Sequence, residues 1–157
     1  DELLTMKERG LVRHVGLGCR RHDFHRQAVE TGHIDIVLTY LDYTLLDQSV
    51  AQTTLPLARR HDVGVQLASV FGCSAGALAG GEPENNPTAH AMWLWCREHG
   101  LSLRRLALHF ALAAPIAGHV LIGPGTPDHV EEVCREALTP VPPEVWQAFQ
   151  ARFGVGP

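Results

Sequence analysis

Residues 123–128, Gly-Pro-Gly-Thr-Pro-Asp, have the composition of a loop that could bind phosphate. Glycines let a phosphate approach the backbone, and Thr126 followed by Pro127 is typical of a helix start. The free N–H groups and the dipole of a helix N-terminus attract anions. The same residues could also form a plain turn between a strand and a helix, and the sequence leaves both interpretations open.

A second motif, residues 72–76, has the Gly-x-Ser-x-Gly pattern that places a nucleophilic serine on a strand-to-helix turn. It would make Ser74 a hydrolase nucleophile, with Asp128 and His129 following in the chain order of that enzyme class. However, residues 77–83 contain two glycines and a proline, which is a poor helix start. Asp128 and His129 are also neighbours on one predicted helix, so they cannot face each other as triad partners. A flexible loop is favoured, and the serine hydrolase is kept as an alternative.

A third motif, Gly16-x-Gly18, follows a predicted strand and begins like a dinucleotide-binding fingerprint. Arg21 occupies the place of the third glycine, which the fingerprint needs for close packing of helix on strand. Asp42, at the end of the next predicted strand, is roughly where an acid that binds ribose would lie. A tight turn at the end of a strand explains the two glycines equally well.

Cys19, His22 and His25 are residue types that bind metals, and they are spaced three apart. No fourth ligand follows at a usual spacing, and the three span a strand exit and a helix start. Histidines that are solvated or hydrogen-bonded within the protein are the favoured interpretation. The sequence therefore predicts no metal site.

These motifs lie on alternating strands and helices. Four short apolar runs, at residues 12–18, 34–40, 63–69 and 118–123, are apolar on both faces, as in parallel strands covered on both sides. Alternation of strands with helices predicts an α/β fold, either a doubly wound sheet or a (β/α) barrel. The longest loop, residues 71–87, lies at the carboxyl end of the third strand, where such folds place active-site loops. Six helices are predicted: residues 23–31, residues 48–60 with a kink or restart at Pro56, and four that begin at Pro87, Ser102, Thr126 and about Pro143. The helix that begins at Thr126 is expected to face the core with Val130, Val133, Cys134, Ala137 and Leu138.

Composition restricts the possible functions. The chain has 157 residues, of which 45% are hydrophobic and 19% charged, so it can form a core and is not expected to be disordered. A net charge of −4 argues against nucleic-acid and polybasic membrane surfaces. No apolar run is close to the length of about 18 residues that a membrane-spanning helix needs. The four unpatterned cysteines suit a reducing compartment, and we expect a cytoplasmic protein.

Four blocks of sequence, taken in order, resemble consecutive parts of an aldo-keto reductase of the sugar-dehydrogenase branch. They are GLVRHVGLG, DIVLTYLDYTLLDQ, HDVGVQLAS and LALHFALAAP with HVLIGPGTPDHVEEV. The resemblance implies the C-terminal half of a TIM (β/α)₈ barrel, comprising strands five to eight. Residues 1–157 would then form one partial barrel domain, from the end of the fourth helix to the C-terminal helix. The chain starts with what looks like the end of a helix, which agrees with that expectation.

The resemblance also implies a nicotinamide cofactor, NAD or NADP, at the carboxyl ends of the strands. Tyr43 would stack on the nicotinamide ring. The seventh-strand loop would lie against the pyrophosphate, and the eighth-strand loop with its helix would hold the adenosine phosphate. The implied cofactor-binding residues are Tyr43, Ser69, Val70, Phe71, Gly123, Pro124, Gly125, Thr126, His129 and Glu132.

A preference for NAD over NADP is expected from the eighth-strand loop. Gly125 stands where relatives often carry an Arg or Lys for the 2′-phosphate of NADP. Asp128, Glu131 and Glu132 are close in sequence, and no fixed cation is evident. A 2′-phosphate would therefore gain no charge-assisted hydrogen bond.

No catalytic residue is predicted in this chain. The family's catalytic Tyr, Lys, Asp and His belong to the first half of the barrel, and Tyr40 and Tyr43 lie on the sixth strand. The complete enzyme would transfer hydride between the nicotinamide and a sugar or other small carbonyl compound, and the isolated chain is expected to be inactive. The alternative is a non-catalytic half-barrel, a cofactor-binding or assembly module whose edge strands at residues 12–18 and 118–123 drive self-association.

Overall fold

The computed structural model describes residues 2–72 and 76–157, and at its centre lies a four-stranded parallel sheet. The strands are β1 (Gly16–Gly18), β2 (Ile36–Tyr40), β3 (Gly64–Ala68) and β4 (Gly118–Leu121). They follow one another across the sheet in chain order, and all three pairs are parallel. A doubly wound sheet reverses its strand order at a switch point. The described strands do not, so the winding is that of a barrel.

The helices begin and end close to the predicted residues. The side chains of Asn86 and Ser102 each accept a hydrogen bond from a backbone N–H three residues on, which confirms both predicted caps. The predicted helix 48–60 is divided into a 3₁₀ turn, Ser49–Gln52, and a helix that restarts at Thr54, so Pro56 lies in a first turn, where proline is tolerated. The α-helices are α1 (Glu2–Glu8), α2 (His22–Glu30), α3 (Thr54–Arg60), α4 (Pro87–Glu98), α5 (Leu103–Leu112), α6 (Pro127–Leu138) and α7 (Pro143–Phe153).

The core lies on one face of the sheet. Val37 and Thr39 on β2, and Val65 and Leu67 on β3, are buried, whereas the residues between them are half-buried or exposed. The expectation that these strands are covered on both sides is therefore wrong for the described residues. One face packs against the helices, as successive side chains of a strand point to opposite faces. The other face is only partly covered.

Two glycines allow the strands to approach one another. A Cβ on Gly118 would lie 1.7 Å from the carbonyl oxygen of Val65, and one on Gly16 would lie 2.7 Å from that of Ile36. Both distances are far below van der Waals contact, so any side chain at these positions would push neighbouring strands apart. Gly118 thereby fixes the position of β4, and with it the loop that follows.

Helix α6 differs from its prediction. The residues expected to face inward on it include Val130 and Leu138, which are 46% and 84% exposed, and Cys134, which is also exposed. Val133 and Ala137 are half-buried, and no residue of α6 is buried. The apolar spacing is that of an amphipathic helix, but β4 is the edge of the described sheet, and α6 packs chiefly on α5. In the described ranges, no helix has the length and apolar character of a membrane span.

Candidate cofactor site

A cavity of about 610 Å³ lies at the carboxyl ends of β3 and β4, between the loops that follow these strands. Its volume is in the range of small-molecule binding sites. The loop after β3 and the loop after β4 both contribute residues to its wall, although these residues are more than 40 positions apart in the sequence. Six of the ten predicted cofactor-binding residues line it: Ser69, Val70, Phe71, Gly123, Pro124 and His129.

The loop after β3 begins with an unusual backbone conformation. Ser69 has a φ of 53°, in the left-handed region that residues with a Cβ rarely adopt. Its carbonyl oxygen accepts a hydrogen bond from the N–H of Gly72, at 2.9 Å, so the chain turns sharply as it leaves the strand. This turn presents Val70 and Phe71 to the cavity wall. Such strain is retained where the surrounding structure demands it, often at binding sites.

The loop after β4 leaves room for a ligand. Nothing in the described structure lies within 4 Å of where a Cβ would stand on Gly123 or Gly125. Thr126 caps α6, because its hydroxyl accepts a hydrogen bond from the N–H of His129 at 3.3 Å. Thr126, Gly125 and Glu132 lie near the cavity but do not form its wall.

Arg104 is a cavity residue that sequence reasoning missed. It lies in the first turn of α5 and lines the same cavity as Gly123 and His129. Its Nε donates to the carbonyl oxygen of Ala79 at 2.6 Å, and its guanidinium forms an ion pair with Glu132. The premise that this site holds no fixed cation is therefore wrong. An arginine in the first turn of an amphipathic helix is typical of a solvated face, so the sequence carries no signal for this role.

Tyr43 is placed apart from the cavity. Its side chain is buried and stacks on the ring of Phe110, with centroids 5.0 Å apart. Burial raises the pKa of its hydroxyl above the ordinary value. Tyr43 thus serves as a packing residue between the end of β2 and α5. Its role against a nicotinamide ring stays a prediction.

Asp42, the candidate ribose-binding acid, is directed into the protein. It is 1% exposed, and its Oδ2 accepts hydrogen bonds from the hydroxyl of Thr39 and, at 2.8 Å, from Nε2 of His22. Nδ1 of His22 in turn lies 2.9 Å from the hydroxyl of Thr53. These contacts tie the end of β2 to α2 and to the start of α3. One oxygen of this carboxylate is already occupied within the protein, and the site does not match a dinucleotide fingerprint.

His25, the last residue of the possible metal motif, is fully buried. Its Nε2 donates to the carbonyl oxygen of Cys19 at 2.9 Å, and its Nδ1 lies 2.9 Å from the hydroxyl of Thr54. A neutral imidazole satisfies both contacts, and burial lowers the pKa of His25 below its ordinary value. Both ring nitrogens are therefore occupied. Within residues 2–72 and 76–157, no group of three or more His, Cys, Asp or Glu side chains is arranged to hold a metal ion.

The hydrolase motif falls partly outside the described structure. Ser74, its expected nucleophile, lies outside the described residues, as do Cys73 and Ala75. Asp128 and His129 are consecutive residues in the first turn of α6, as the sequence predicts. Neighbours on one helix turn do not face each other as triad partners, so the geometry of these two residues does not favour acyl transfer.

Comparison with known proteins defines the class to which this fold and cavity belong. Residues 1–152 match the model of the aldo/keto reductase family, so the chain belongs to that family. The match extends over all four strands and over the loops that line the cavity. The resemblance found in the four blocks of sequence is thereby confirmed.

Particular relatives are similar over most of this chain. It is 27% identical to a D-threo-aldose 1-dehydrogenase of Pseudomonas sp, over 92% of this chain and 47% of the relative. It is 26% identical to the L-galactose dehydrogenase of Arabidopsis thaliana, over 83% of this chain and 43% of the relative. The chain thus spans about half the length of the curated relatives that it matches.

Solved structures show the same relation. An aldo-keto reductase of Bacillus halodurans in its holo form superposes with a TM-score of 0.71 at 22% identity, over 94% of this chain and 52% of that one. A glycerol dehydrogenase of Gluconobacter oxydans superposes with a TM-score of 0.70 at 18% identity, over 99% of this chain and 54% of that one. The fold is therefore the parallel α/β fold of aldo-keto reductase barrels, and the chain covers about half of such a barrel.

Proposed function

We propose that this chain is the cofactor-binding part of an NAD(P)-dependent oxidoreductase that acts on an aldose or a related carbonyl or alcohol compound. The single observation that carries the proposal is the cavity between β3 and β4, which gathers Ser69, Val70, Phe71, Gly123, Pro124 and His129. Family membership supports the reaction class. The names of two relatives, D-threo-aldose 1-dehydrogenase and L-galactose dehydrogenase, support a sugar substrate.

The chemistry of the cavity fits the phosphate-bearing part of a nicotinamide cofactor. Open space at Gly123 lets an anion approach the backbone, and Arg104 supplies a guanidinium to the same cavity wall. Residues 69–71 of the loop after β3 also line the cavity. When bound, the cofactor would supply or accept the hydride, while these residues would hold and orient its phosphates.

We assign the preference for NAD to the same cavity. Gly125 offers no side chain, and Glu132 neutralises the guanidinium of Arg104. A dianionic 2′-phosphate would have to displace Glu132 in order to gain a charge-assisted hydrogen bond. In the folded chain a cation is therefore present at this site, but it is already paired with a carboxylate.

The experiment that tests this function is a titration of the chain with NAD and with NADP, in which isothermal titration calorimetry measures the dissociation constant of each. Gly123→Leu fills the open space and is expected to weaken binding at least about tenfold, because a leucine side chain excludes the phosphate. Gly81→Leu is the matched control, as a Cβ there also meets nothing within 4 Å, but Gly81 lies outside the cavity wall. Equal affinity of the two variants would contradict the proposal.

Turnover is a separate part of the proposal. The chain carries none of the family's catalytic motifs, so we expect the isolated chain to bind cofactor without oxidising aldoses. Oxidation of an aldose with NAD by this chain alone, followed at the absorbance of NADH, would overturn that expectation.

Self-association remains the alternative for the chain by itself, and one observation favours it. In the described sheet β1 and β4 are edge strands, and the neighbouring helix α6 exposes Val130 and Leu138. Unpaired strand edges and exposed apolar side chains promote pairing with another copy. Sedimentation velocity tests this: a monomer at every concentration would exclude the assembly role.

The proposed location of the protein, for either function, is the cytoplasm.

A further inference from the structure

The guanidinium in the cavity wall is held firmly in place. Arg104 donates from Nε to the carbonyl oxygen of Ala79, and its Nη1 forms the ion pair with Oε2 of Glu132. The backbone of Gly80 lies under the same side chain, since a Cβ there would be 3.4 Å from Nε. The Arg104 side chain is 21% exposed, so it is mostly enclosed and yet reaches the cavity. Arg104 thus joins α5, the loop after β3 and α6 at one point.

A second ion pair joins the same two helices without reaching the cavity. Nε of Arg105 lies 2.5 Å from Oε2 of Glu136, and neither residue belongs to the cavity wall. The chemical groups are identical to those of the first pair, and the positions are offset by one residue on α5 and by one turn on α6. The chain therefore contains its own control for what an arginine–glutamate pair does when no ligand site is beside it.

The first pair presents a balanced charge to the cavity. The hydrogen bond from Arg104 lowers the pKa of Glu132 below its ordinary value, so the carboxylate is ionised at neutral pH. A guanidinium and a carboxylate together have no net charge. Any anion that is to bind Arg104 must compete with a carboxylate that already makes a charge-assisted hydrogen bond.

We propose that the Arg104–Glu132 pair is the specificity determinant of this cavity and sets the number of phosphate charges that a bound dinucleotide can carry. The inference rests on the proposed cofactor function and deepens it. With Glu132 in place the cavity takes NAD, whose phosphates can be held by backbone groups, and disfavours the additional 2′-phosphate of NADP. Without the Glu132 carboxylate, Arg104 becomes a free partner for that phosphate.

The test measures dissociation constants of NAD and NADP by calorimetry for four forms of the chain. Glu132→Gln is expected to raise the affinity for NADP relative to NAD about tenfold, which is the effect of one added charge-assisted contact. The double variant Arg104→Gln/Glu132→Gln is expected to lose this gain, because the gain requires the guanidinium. Glu136→Gln, which removes the same charge from the second pair, is expected to keep the ratio of the unmodified chain.

Each other outcome overturns the inference. An equal rise in Glu132→Gln and Glu136→Gln would show only a general effect of net charge, and a gain that survives in the double variant would exclude Arg104. If NAD binds and the ratio does not change, the pair is not the determinant, although the proposed function stands. If neither dinucleotide binds any form, the proposed function fails and the inference fails with it. Glu132→Ser provides a second variant of the same charge, and circular dichroism verifies that all forms are folded.

Discussion

The carboxyl ends of β1 and β2 and those of β3 and β4 lie along the same edge of one sheet, yet they use polar side chains differently. Beyond β1 and β2, His22 forms a hydrogen bond with Asp42, which also accepts one from a threonine hydroxyl. His25 forms hydrogen bonds with a second threonine hydroxyl and with a backbone carbonyl oxygen. Beyond β3 and β4, the loops enclose a cavity with glycines, a guanidinium and His129 in its wall. Histidine and aspartate together therefore do not mark the cavity here, because both ring nitrogens of His22 and His25 and Oδ2 of Asp42 already have partners inside the fold.

The difference follows from the residues that each region carries at the strand ends. The 13 residues between β2 and α3 include Asp42 and Thr53, and the side chains of both contact His22 of α2. After β3 the chain turns sharply at Ser69, and after β4 it continues through Gly123, where nothing lies within 4 Å of a Cβ position. Hydrogen bonds connect most of the polar groups of the first region, and among the described residues Oδ1 of Asp42 is the one buried side-chain polar atom without a hydrogen-bond partner. The second region can remain open because its wall is largely backbone and small residues.

The largest expected effect comes from Asp42. Asp42→Ala leaves the hydroxyl of Thr39 and Nε2 of His22 without their buried acceptor, and we expect it to lower the free energy of unfolding by about 3 kcal/mol. Urea denaturation measures the change. Affinity for NAD should stay the same in the folded fraction, since Asp42 lies outside the cavity wall. Asp23→Ala, which removes an exposed carboxylate, is the control and should leave stability nearly unchanged. A large loss of NAD affinity in Asp42→Ala would break the division between the two regions.

A smaller effect is expected from pH. Burial lowers the pKa of His25 in the folded chain below the ordinary value of 6.5, so below that pH the unfolded chain binds the proton more readily. The free energy of unfolding should therefore be highest above pH 6.5 and decrease as the pH falls. Urea unfolding at several pH values measures the slope between pH 7 and 5, which should be shallower in His25→Gln. The exposed variant His33→Gln is the control, and an equal flattening there would contradict the assignment.

The smallest effect concerns Ser69 in the open region. Because Ser69 has a φ of 53°, Ser69→Gly relieves backbone strain, and we expect it to raise the free energy of unfolding by about 0.5 kcal/mol. Ser69→Ala keeps the strain and should give no gain. Thermal unfolding followed by circular dichroism compares the two. A loss of stability in Ser69→Gly would show that the serine side chain, rather than the turn, holds this loop.

Local features were predictable from the sequence. The caps at Asn86, Ser102 and Thr126 and the restart near Pro56 depend on residues within a few positions of each other, and the structure confirms them. The face of α6 was not predictable in the same way. Its apolar spacing is correct for an amphipathic helix, but what covers that face depends on other elements, and in the described chain it is exposed.

The amino-acid sequence by itself determined the element order, the parallel sheet and the family, because the first two depend on local periodicity and the third on the order of four matching blocks along the chain. The tertiary structure decided which polar residues face a cavity. His22 and Asp42, 20 residues apart, bond to each other, and Arg104 pairs with Glu132 across 28 positions. Pairing between distant residues requires the packed elements, since only the fold fixes which side chains meet and which remain open to a ligand.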